Sequence, residues 1–367
     1  MLPDQHPPLP TADDPTAESR KKDHIELAFQ SRVGAAALDG RFWYEPMLAA
    51  HPEPGSWPPF PFMGHQLRSP MWVSSMTGGT ALAGTINHNL ARLCAEFGMG
   101  MGLGSCRQLL HSREHLPDFD VRDTLGPDLP LYANLGVAQV EHLLDRGEAA
   151  ERIPALLALL RADGLIVHVN PLQEAMQPEG DRFRQPALAT VAQLLDLQLQ
   201  LPRPELLGIK LPGSSSQVKI IVKEVGQGMG PESLRALLQL PLEAVEFAAA
   251  GGTNFAKLEL LRSEPAKQAV FEKIAAVGHS AAEMLDFVNA ARADLGNRCQ
   301  VRHLIISGGV EDFLDGFYWL KKSALPAVYG QASAFLRHAR GDYAELQAYA
   351  AAQLRGLDLA GAFLRVR

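Results

Sequence analysis

A single cation stands in an otherwise apolar stretch of the chain. Lys223 follows an isoleucine–isoleucine–valine run at 220–222, which is typical of a buried strand. A buried ammonium without a partner is very costly, so Lys223 requires an anion. Glu224 is not a direct partner, because successive strand side chains point to opposite faces of a sheet. We interpret Lys223 as a cation held against an electron-rich cofactor ring or its negative charge when reduced, and a structural salt bridge is the alternative.

Three later apolar segments end in glycine and small polar residues. These ends are 251–254 (GGTN), 307–309 (SGG) and 330–333 (GQAS). Glycine lets a backbone approach a ligand closely and leaves amide N–H groups free for an anion. The last two ends therefore predict a phosphate site, to which Thr253 could add a hydroxyl. The alternative is that these glycines only turn the chain.

Amide and carboxylate groups follow a fourth apolar segment, in 168–174 (HVNPLQE). One carboxylate is a poor chelator alone, but with a diphosphate supplying further oxygens it is enough for a magnesium ion that keeps several waters. Gln173 and Glu174 could equally cap the following helix. Taken alone, His168 is more often a core histidine than a catalyst. Cys106 shows no histidine partner in sequence, so we do not interpret it as a nucleophile.

Basic residues occur at two further places. Arg20, Lys21 and His24 open the ordered region, and Arg107 follows another apolar segment. Such a run is usually a solvated helix face, but this one could fold over the site onto an anionic substrate.

The elements that must position these residues alternate regularly. Apolar runs ending in Gly, Ser or Asn alternate with stretches of helical periodicity such as 80–96, where Leu82, Ile86 and Leu90 share a face, and 231–239. The predicted strands are 71–76, 98–104, 129–135, 164–169, 219–225, 242–248, 303–307 and 326–330. Eight such units, with polar residues at nearly every strand end, predict an α/β fold, the (β/α)8 TIM barrel, which gathers its chemistry on one face. An open doubly wound sheet is the alternative.

Composition limits the classes of partner. The 367 residues are 47% hydrophobic and 20% charged, with a net charge of −7, which argues against general binding to nucleic acid or membrane. Three cysteines at unrelated spacings argue against a disulfide scaffold and fit a cytoplasmic protein. A proline- and acid-rich start predicts a disordered tail over 1–19, followed by one catalytic domain over 20–367. A Gly-Ser run within 209–217 predicts a surface loop.

The ordered set of motifs resembles type II isopentenyl diphosphate isomerase, a family of flavin mononucleotide (FMN)-dependent TIM barrels. The matching segments span residues 20 to about 336: they are 20–25 (RKKDHI), 76–79 (MTGG), 104–107 (GSCR), 134–136 (NLG), 168–174 (HVNPLQE), 178–181 (PEGD), 222–226 (VKEVG), 251–255 (GGTNF) and 307–309 (SGG).

The resemblance implies a role for each matching residue. The flavin would be contacted by Thr77, Gly78, Ser105, Asn134, Lys223 and Thr253, and its phosphate held by the loops at Gly308, Gly309, Ala332 and Ser333. The substrate's diphosphate would be held by Arg20, Lys21, His24, Ser105, Arg107, His168 and Asn170. Glu174 would bind Mg²⁺, and Gln173 would lie against the reacting carbons. The resemblance also implies NADPH as reductant and a homotetramer that pairs into an octamer.

The implied reaction is a 1,3-proton shift between isopentenyl and dimethylallyl diphosphate, with no net redox change. An unactivated alkene is a weak base, and the side chains offer no strong acid, so the reduced flavin is expected to fill that gap. One rival hypothesis is a flavin-dependent oxidase or dehydrogenase, which predicts net oxidation of its substrate. A second is a non-catalytic flavin- or phosphate-binding barrel.

Overall fold

Eight parallel strands close into a barrel in the computed structural model, which describes residues 16–201 and 217–367. Along the chain, the described strands are β1 (Phe42–Tyr44), β2 (Phe60–Phe62), β3 (His65–Leu67), β4 (Met71–Val73), β5 (Gly100–Gly102), β6 (Leu131–Gly136), β7 (Gly164–His168), β8 (Lys219–Lys223), β9 (Ala244–Glu246), β10 (His303–Ser307), β11 (Ala327–Gln331) and β12 (Leu364–Val366). The barrel runs from β4 through β11, and β11 pairs with β4 to close it. The predicted fold class is confirmed, and each of the eight predicted strands overlaps one barrel strand, although β4, β5 and β9 are each three residues long and shorter than the predicted 71–76, 98–104 and 242–248.

Helices connect the barrel strands, as expected for parallel neighbours. The described α-helices are α1 (Ala17–Leu27), α2 (Ala81–Phe97), α3 (Arg122–Leu125), α4 (Val137–Asp145), α5 (Ala149–Leu160), α6 (Pro171–Met176), α7 (Ala187–Asp196), α8 (Pro231–Leu237), α9 (Phe255–Leu261), α10 (Pro265–Ala275), α11 (Ala281–Leu295), α12 (Phe313–Lys322), α13 (Ser333–Ala339) and α14 (Tyr343–Phe363). Among the described helices, none is long and apolar enough to cross a membrane.

Local sequence explains the bounds of α2. The Thr80 side chain accepts a hydrogen bond from the Ala83 amide, and Gly98 ends the helix with a φ of +70°. Ile86 and Leu90 are buried as predicted, but Leu82 is 54% exposed. The buried face of the first turn is formed by Ala83 and Gly84, so Leu82 lies outside the apolar face that the periodicity predicts.

The described residues belong to two compact units. The described part of the first is 16–43 with 365–367, and the second is Tyr44–Leu364. In the first unit, α1 is exposed along its described length and carries an ion pair between Lys22 and Glu26 at 3.7 Å. Residues 17–19 of the predicted tail lie in α1, while residues 1–15 lie outside the described ranges, as does the predicted loop 209–217 except for Gln217.

A hairpin of β2 and β3 closes the base of the barrel in the second unit. Its turn residue Met63 is fully buried; its amide donates to His303 Nε2 at 3.3 Å, and its carbonyl accepts from Lys219 Nζ at 2.7 Å. Phe62 packs edge-on against His303 and Trp72, whose strand ends it covers. The opposite, carboxyl-terminal face remains open for a site.

Candidate active site

Two adjoining cavities open among the loops that follow the barrel strands. The larger has a volume of about 440 Å³ and the smaller about 270 Å³. Five residues line both, and they are Ser75, Met76, Lys223, Val225 and Phe255. The barrel therefore presents one continuous, two-chambered cleft where the sequence predicts the chemistry.

The larger cavity contains the predicted phosphate loops. It is lined by Gly251, Gly252, Thr253, Gly308, Gly309, Ala332 and Ser333. Gly308 has a φ of +86°, and a Cβ there would lie 2.2 Å from the Ala249 backbone nitrogen. A Cβ on Gly251 would lie 2.9 Å from the Gly309 Cα. The glycines thus allow two loops to pack backbone against backbone. They turn the chain and also line the cavity, so the two interpretations made from sequence hold together.

Lys223 lies at the wall between the two cavities. Its side chain is almost completely buried, and its ammonium donates to the Glu224 carbonyl oxygen at 2.8 Å. The Glu224 carboxylate instead accepts hydrogen bonds from the amides of 226, 227 and 228 at 2.6, 2.6 and 3.0 Å. Glu224 therefore orders the loop after β8, and Lys223 makes no ion pair with a carboxylate of the described ranges.

Register places Lys223 between two other inward-facing polar residues. It pairs with His168 on β7 and with Glu246 on β9. Register partners in parallel strands point to the same face, so the three side chains form a row inside the barrel. Lys223 and Glu246 line the larger chamber and His168 and Lys223 line the smaller one, so the row runs from one chamber to the other.

His168 is held in its neutral form. Burial, together with the positive charge of Lys223, lowers its pKa to about 3. Its Nδ1 lies 2.7 Å from Asn134 Oδ1, so the neutral ring donates there and keeps a lone pair on Nε2. Before a substrate binds, His168 is therefore a polar neighbour of the smaller cavity rather than a cation.

The end of β7 and the start of α6 carry a connected polar network. Asn170 Nδ2 donates to Gln173 Oε1 at 3.1 Å and to Glu174 Oε1 at 2.9 Å, and the Asp181 amide donates to Glu174 Oε2 at 2.7 Å. The Arg107 guanidinium pairs with the Asp181 carboxylate at 3.1 Å. The fold thus joins four predicted substrate or metal residues, and Glu174 does not cap its own helix.

The structure also shows the surroundings of Cys106 and of the three basic residues predicted near the start of the chain. Burial raises the pKa of the Cys106 thiol to about 12, which leaves it protonated and supports its interpretation as a non-nucleophile. Arg20, Lys21 and His24 are exposed on α1, which belongs to the first unit. The remaining predicted residues Thr77, Gly78, Ser105, Asn134, His168 and Gln173 line the smaller cavity with Lys223.

No family model matches the chain, but curated relatives do. It is 31% identical over 335 residues to an isopentenyl-diphosphate delta-isomerase of Rickettsia felis, covering 87% of this chain and 85% of the relative. A protein of the same name from Pelodictyon phaeoclathratiforme is 36% identical over 258 residues, or 69% of this chain and 65% of the relative.

The chain belongs to the isopentenyl-diphosphate delta-isomerase family. This confirms the family resemblance carried by the motifs.

Solved structures support the fold of this isomerase family member. A flavocytochrome b2 variant with sulfite bound has a TM-score of 0.50 at 14% identity, covering 87% of this chain and 71% of that chain. A mandelate oxidase mutant with benzaldehyde has a TM-score of 0.50 at 12% identity, covering 89% and 86%. At these identities, the likeness establishes the barrel alone.

Sequence reasoning missed several polar residues of the isomerase's cleft. Glu246, Ser74 and Ser75 line the larger cavity, yet none was a candidate. The signal for Glu246 was available, because a carboxylate within the apolar segment 242–248 raises the same question of burial as Lys223 does. Ser74 and Ser75 gave no such signal, since serine is common at strand ends.

Proposed function

We propose that this protein is a type II isopentenyl diphosphate isomerase, which interconverts isopentenyl and dimethylallyl diphosphate with reduced FMN and Mg²⁺. The observation that carries the proposal is the shared wall of the cleft. Lys223 separates a glycine-rich chamber suited to a phosphate from a chamber lined by His168 and Gln173. A cofactor and a substrate would meet there, on either side of one buried cation.

The residues present fit a flavin mononucleotide. The larger cavity offers an anion-tolerant end at Gly308 and Ser333, buried polar atoms without hydrogen-bond partners in its middle, and the ammonium of Lys223 at its other end. Thr253 in the larger cavity would complete the contacts to the flavin, together with Thr77, Gly78, Ser105 and Asn134 in the smaller cavity, which the flavin would share with the substrate. The ordering of phosphate loops, polar middle and cation matches the phosphate, linker and ring of that cofactor.

The diphosphate would be held beside the polar network of α6. Arg107 and Asn170 supply donors, and the family resemblance adds Ser105, His168, Arg20, Lys21 and His24. Within the described residues, no cluster of three or more His, Cys, Asp or Glu side chains has the arrangement of a metal site. Glu174 would therefore bind Mg²⁺ together with diphosphate oxygens and water. One protein carboxylate is enough, because Mg²⁺ keeps part of its hydration shell.

Protonating the substrate's alkene requires an acid stronger than this chamber's side chains provide. Gln173 is an amide without useful acidity, and His168 is held neutral. When bound and reduced, the flavin supplies an electron-rich ring that stabilises positive charge developing on the substrate carbons, together with the acid–base group that the chain lacks. Gln173 orients the substrate, while the walls of the cavity exclude water.

We further propose NADPH as the reductant, a cytoplasmic location, and a homotetramer that pairs into an octamer. These follow from the family resemblance and from the acidic, cysteine-poor composition.

One anaerobic assay tests the proposal. Purified protein is incubated with FMN, NADPH, Mg²⁺ and isopentenyl diphosphate, and the expected product is the dimethylallyl isomer over many turnovers, with NADPH consumed only to reduce the flavin. Gln300→Ala, an exposed change away from both cavities, should behave as the wild type does. Stoichiometric loss of NADPH with an altered redox state of the product would instead identify an oxidoreductase. FMN binding without turnover would identify a non-catalytic binding protein.

A further inference from the structure

Three buried polar atoms of the larger cavity lack hydrogen-bond partners. They are Ser74 Oγ, Ser75 Oγ and Glu246 Oε2. Their residues are 5%, 8% and 0% exposed, and all three line this cavity. A buried polar group without a partner is costly, most of all when it carries charge, so these atoms point to a polar ligand.

Two of them, Glu246 and Ser74, are linked around the barrel wall through Ser307 and Gly330, while Ser75 follows Ser74 on the side of Gly102, whose Cβ would be 2.6 Å from Ser75 Oγ. Ser307 Oγ donates to Glu246 Oε1 at 3.1 Å, which leaves only Glu246 Oε2 unpaired. Gly330 lies between Ser74 and Ser307, because a Cβ there would be 2.3 Å from Ser74 Oγ and 2.9 Å from the Ser307 Cβ. The absence of a side chain at 330 keeps this part of the wall open to the cavity. Glu246, Ser307 and Ser74 thus form a polar arc over adjacent strands.

Position along the cavity indicates what the arc binds. Lys223 on β8 is the cation proposed to face the flavin ring, and it is the register partner of Glu246 on β9. The glycine loops proposed to hold the phosphate include Gly308, which directly follows Ser307. The arc therefore occupies the interval between a ring and a phosphate. A carboxylate oxygen needs a donor, and two hydroxyls can donate or accept, which is the complement of a chain of alcohols.

We propose that Glu246, Ser74 and Ser75 form a polyol site for the ribityl chain of FMN, with Glu246 accepting a hydrogen bond from one of its hydroxyls. The inference rests on the proposed function, since it assumes a flavin in this cavity. It assigns Glu246 to cofactor binding rather than to a salt bridge with Lys223, whose ammonium bonds the Glu224 carbonyl instead.

Binding measurements on the apoprotein test this assignment without using turnover. FMN is compared with an analogue whose ribityl chain is replaced by a 5-phosphopentyl chain, which keeps the ring and phosphate but lacks the hydroxyls. We expect the wild type to bind FMN at least about tenfold more tightly than the analogue, since several buried hydrogen bonds are lost. In Glu246→Gln and Ser74→Ala that ratio should fall about threefold or more, while the affinity for the analogue changes less than twofold.

Matched controls separate the possible failures. Ser56→Ala, an exposed change outside both cavities, should keep the wild-type ratio. Ser75→Ala provides a second conservative variant if Glu246→Gln does not fold. Equal wild-type affinity for FMN and the analogue would overturn the polyol site alone, and equal losses for both ligands in the variants would also overturn it. Wild-type protein that binds neither flavin would overturn the proposed function itself.

Discussion

Replacing Gly308 with alanine should dismantle the phosphate end of the larger cavity. The added Cβ would lie 2.2 Å from both the backbone nitrogen and the carbonyl oxygen of Ala249, well inside van der Waals contact, and neither atom belongs to a flexible side chain. The φ of +86° adds a conformational penalty of roughly 1–3 kcal/mol for a residue other than glycine. Overpacking adds about 1–3 kcal/mol more, so the loops at 248–252 and 307–309 must move apart.

A loss of about 2 to 6 kcal/mol in this loop arrangement corresponds to an FMN dissociation constant raised at least about thirtyfold. Fluorescence titration of the apoprotein measures that constant, and circular dichroism verifies that the barrel remains folded. Gly341→Ala is the matched control, since a Cβ at Gly341 meets no atom within 4 Å and its φ is not in the left-handed region. A folded Gly308→Ala protein that binds FMN within threefold of the wild type would refute the assignment of this loop to the phosphate.

Four further predictions concern the smaller cavity and the polar network at the start of α6. Glu174→Gln should raise the Mg²⁺ concentration needed for half-maximal activity about tenfold, because a neutral amide is a weaker ligand; unaltered metal dependence would count against Glu174. Gln173→Ala should lower kcat at least about tenfold while the Kd for FMN stays within twofold, and unchanged turnover would discard its orienting role. Lys223→Met should raise the pKa of His168 toward its ordinary value, because a neighbouring positive charge is removed; NMR titration of the imidazole checks this. Since His168 resists protonation only when folded, the wild type should lose stability as the pH falls below the unfolded pKa of about 6.5, by about 1 kcal/mol at pH 5.5, and urea unfolding should show a smaller decline in His168→Gln.

The hydrogen bonds and the ion pair that join the residues of the candidate site could not be predicted from local sequence patterns. Arg107, Asn170 and Glu174 each stood out by residue type, yet their link through Asp181 joins segments more than sixty residues apart. Nothing in the sequence predicts that Arg107 and Asp181 are in contact, because their contact depends on how the loop after β5 and the loop after α6 are brought to the same end of the barrel. The helix-capping alternative for Glu174 also required the structure, which directs its carboxylate to the Asp181 amide.

The sequence likewise did not predict that the hairpin at 60–67 closes the base of the barrel. Its residues do not belong to the strand–helix alternation, and only the buried contacts of Phe62 and Met63 show that it closes the barrel base. By closing that end with side chains, it leaves the carboxyl-terminal face as the open end of this barrel.

The amino-acid order by itself determined the architecture, since apolar runs of strand length alternating with helical periodicity admit few arrangements, and it marked Lys223 and the glycine-rich strand ends as unusual. The tertiary structure alone decided which of those residues meet. Side-chain direction along one strand follows a local period of two, but the neighbours of a side chain across strands are set by register and barrel closure. That is why Lys223 could be recognised as a buried cation from sequence, whereas its place between His168 and Glu246 could not.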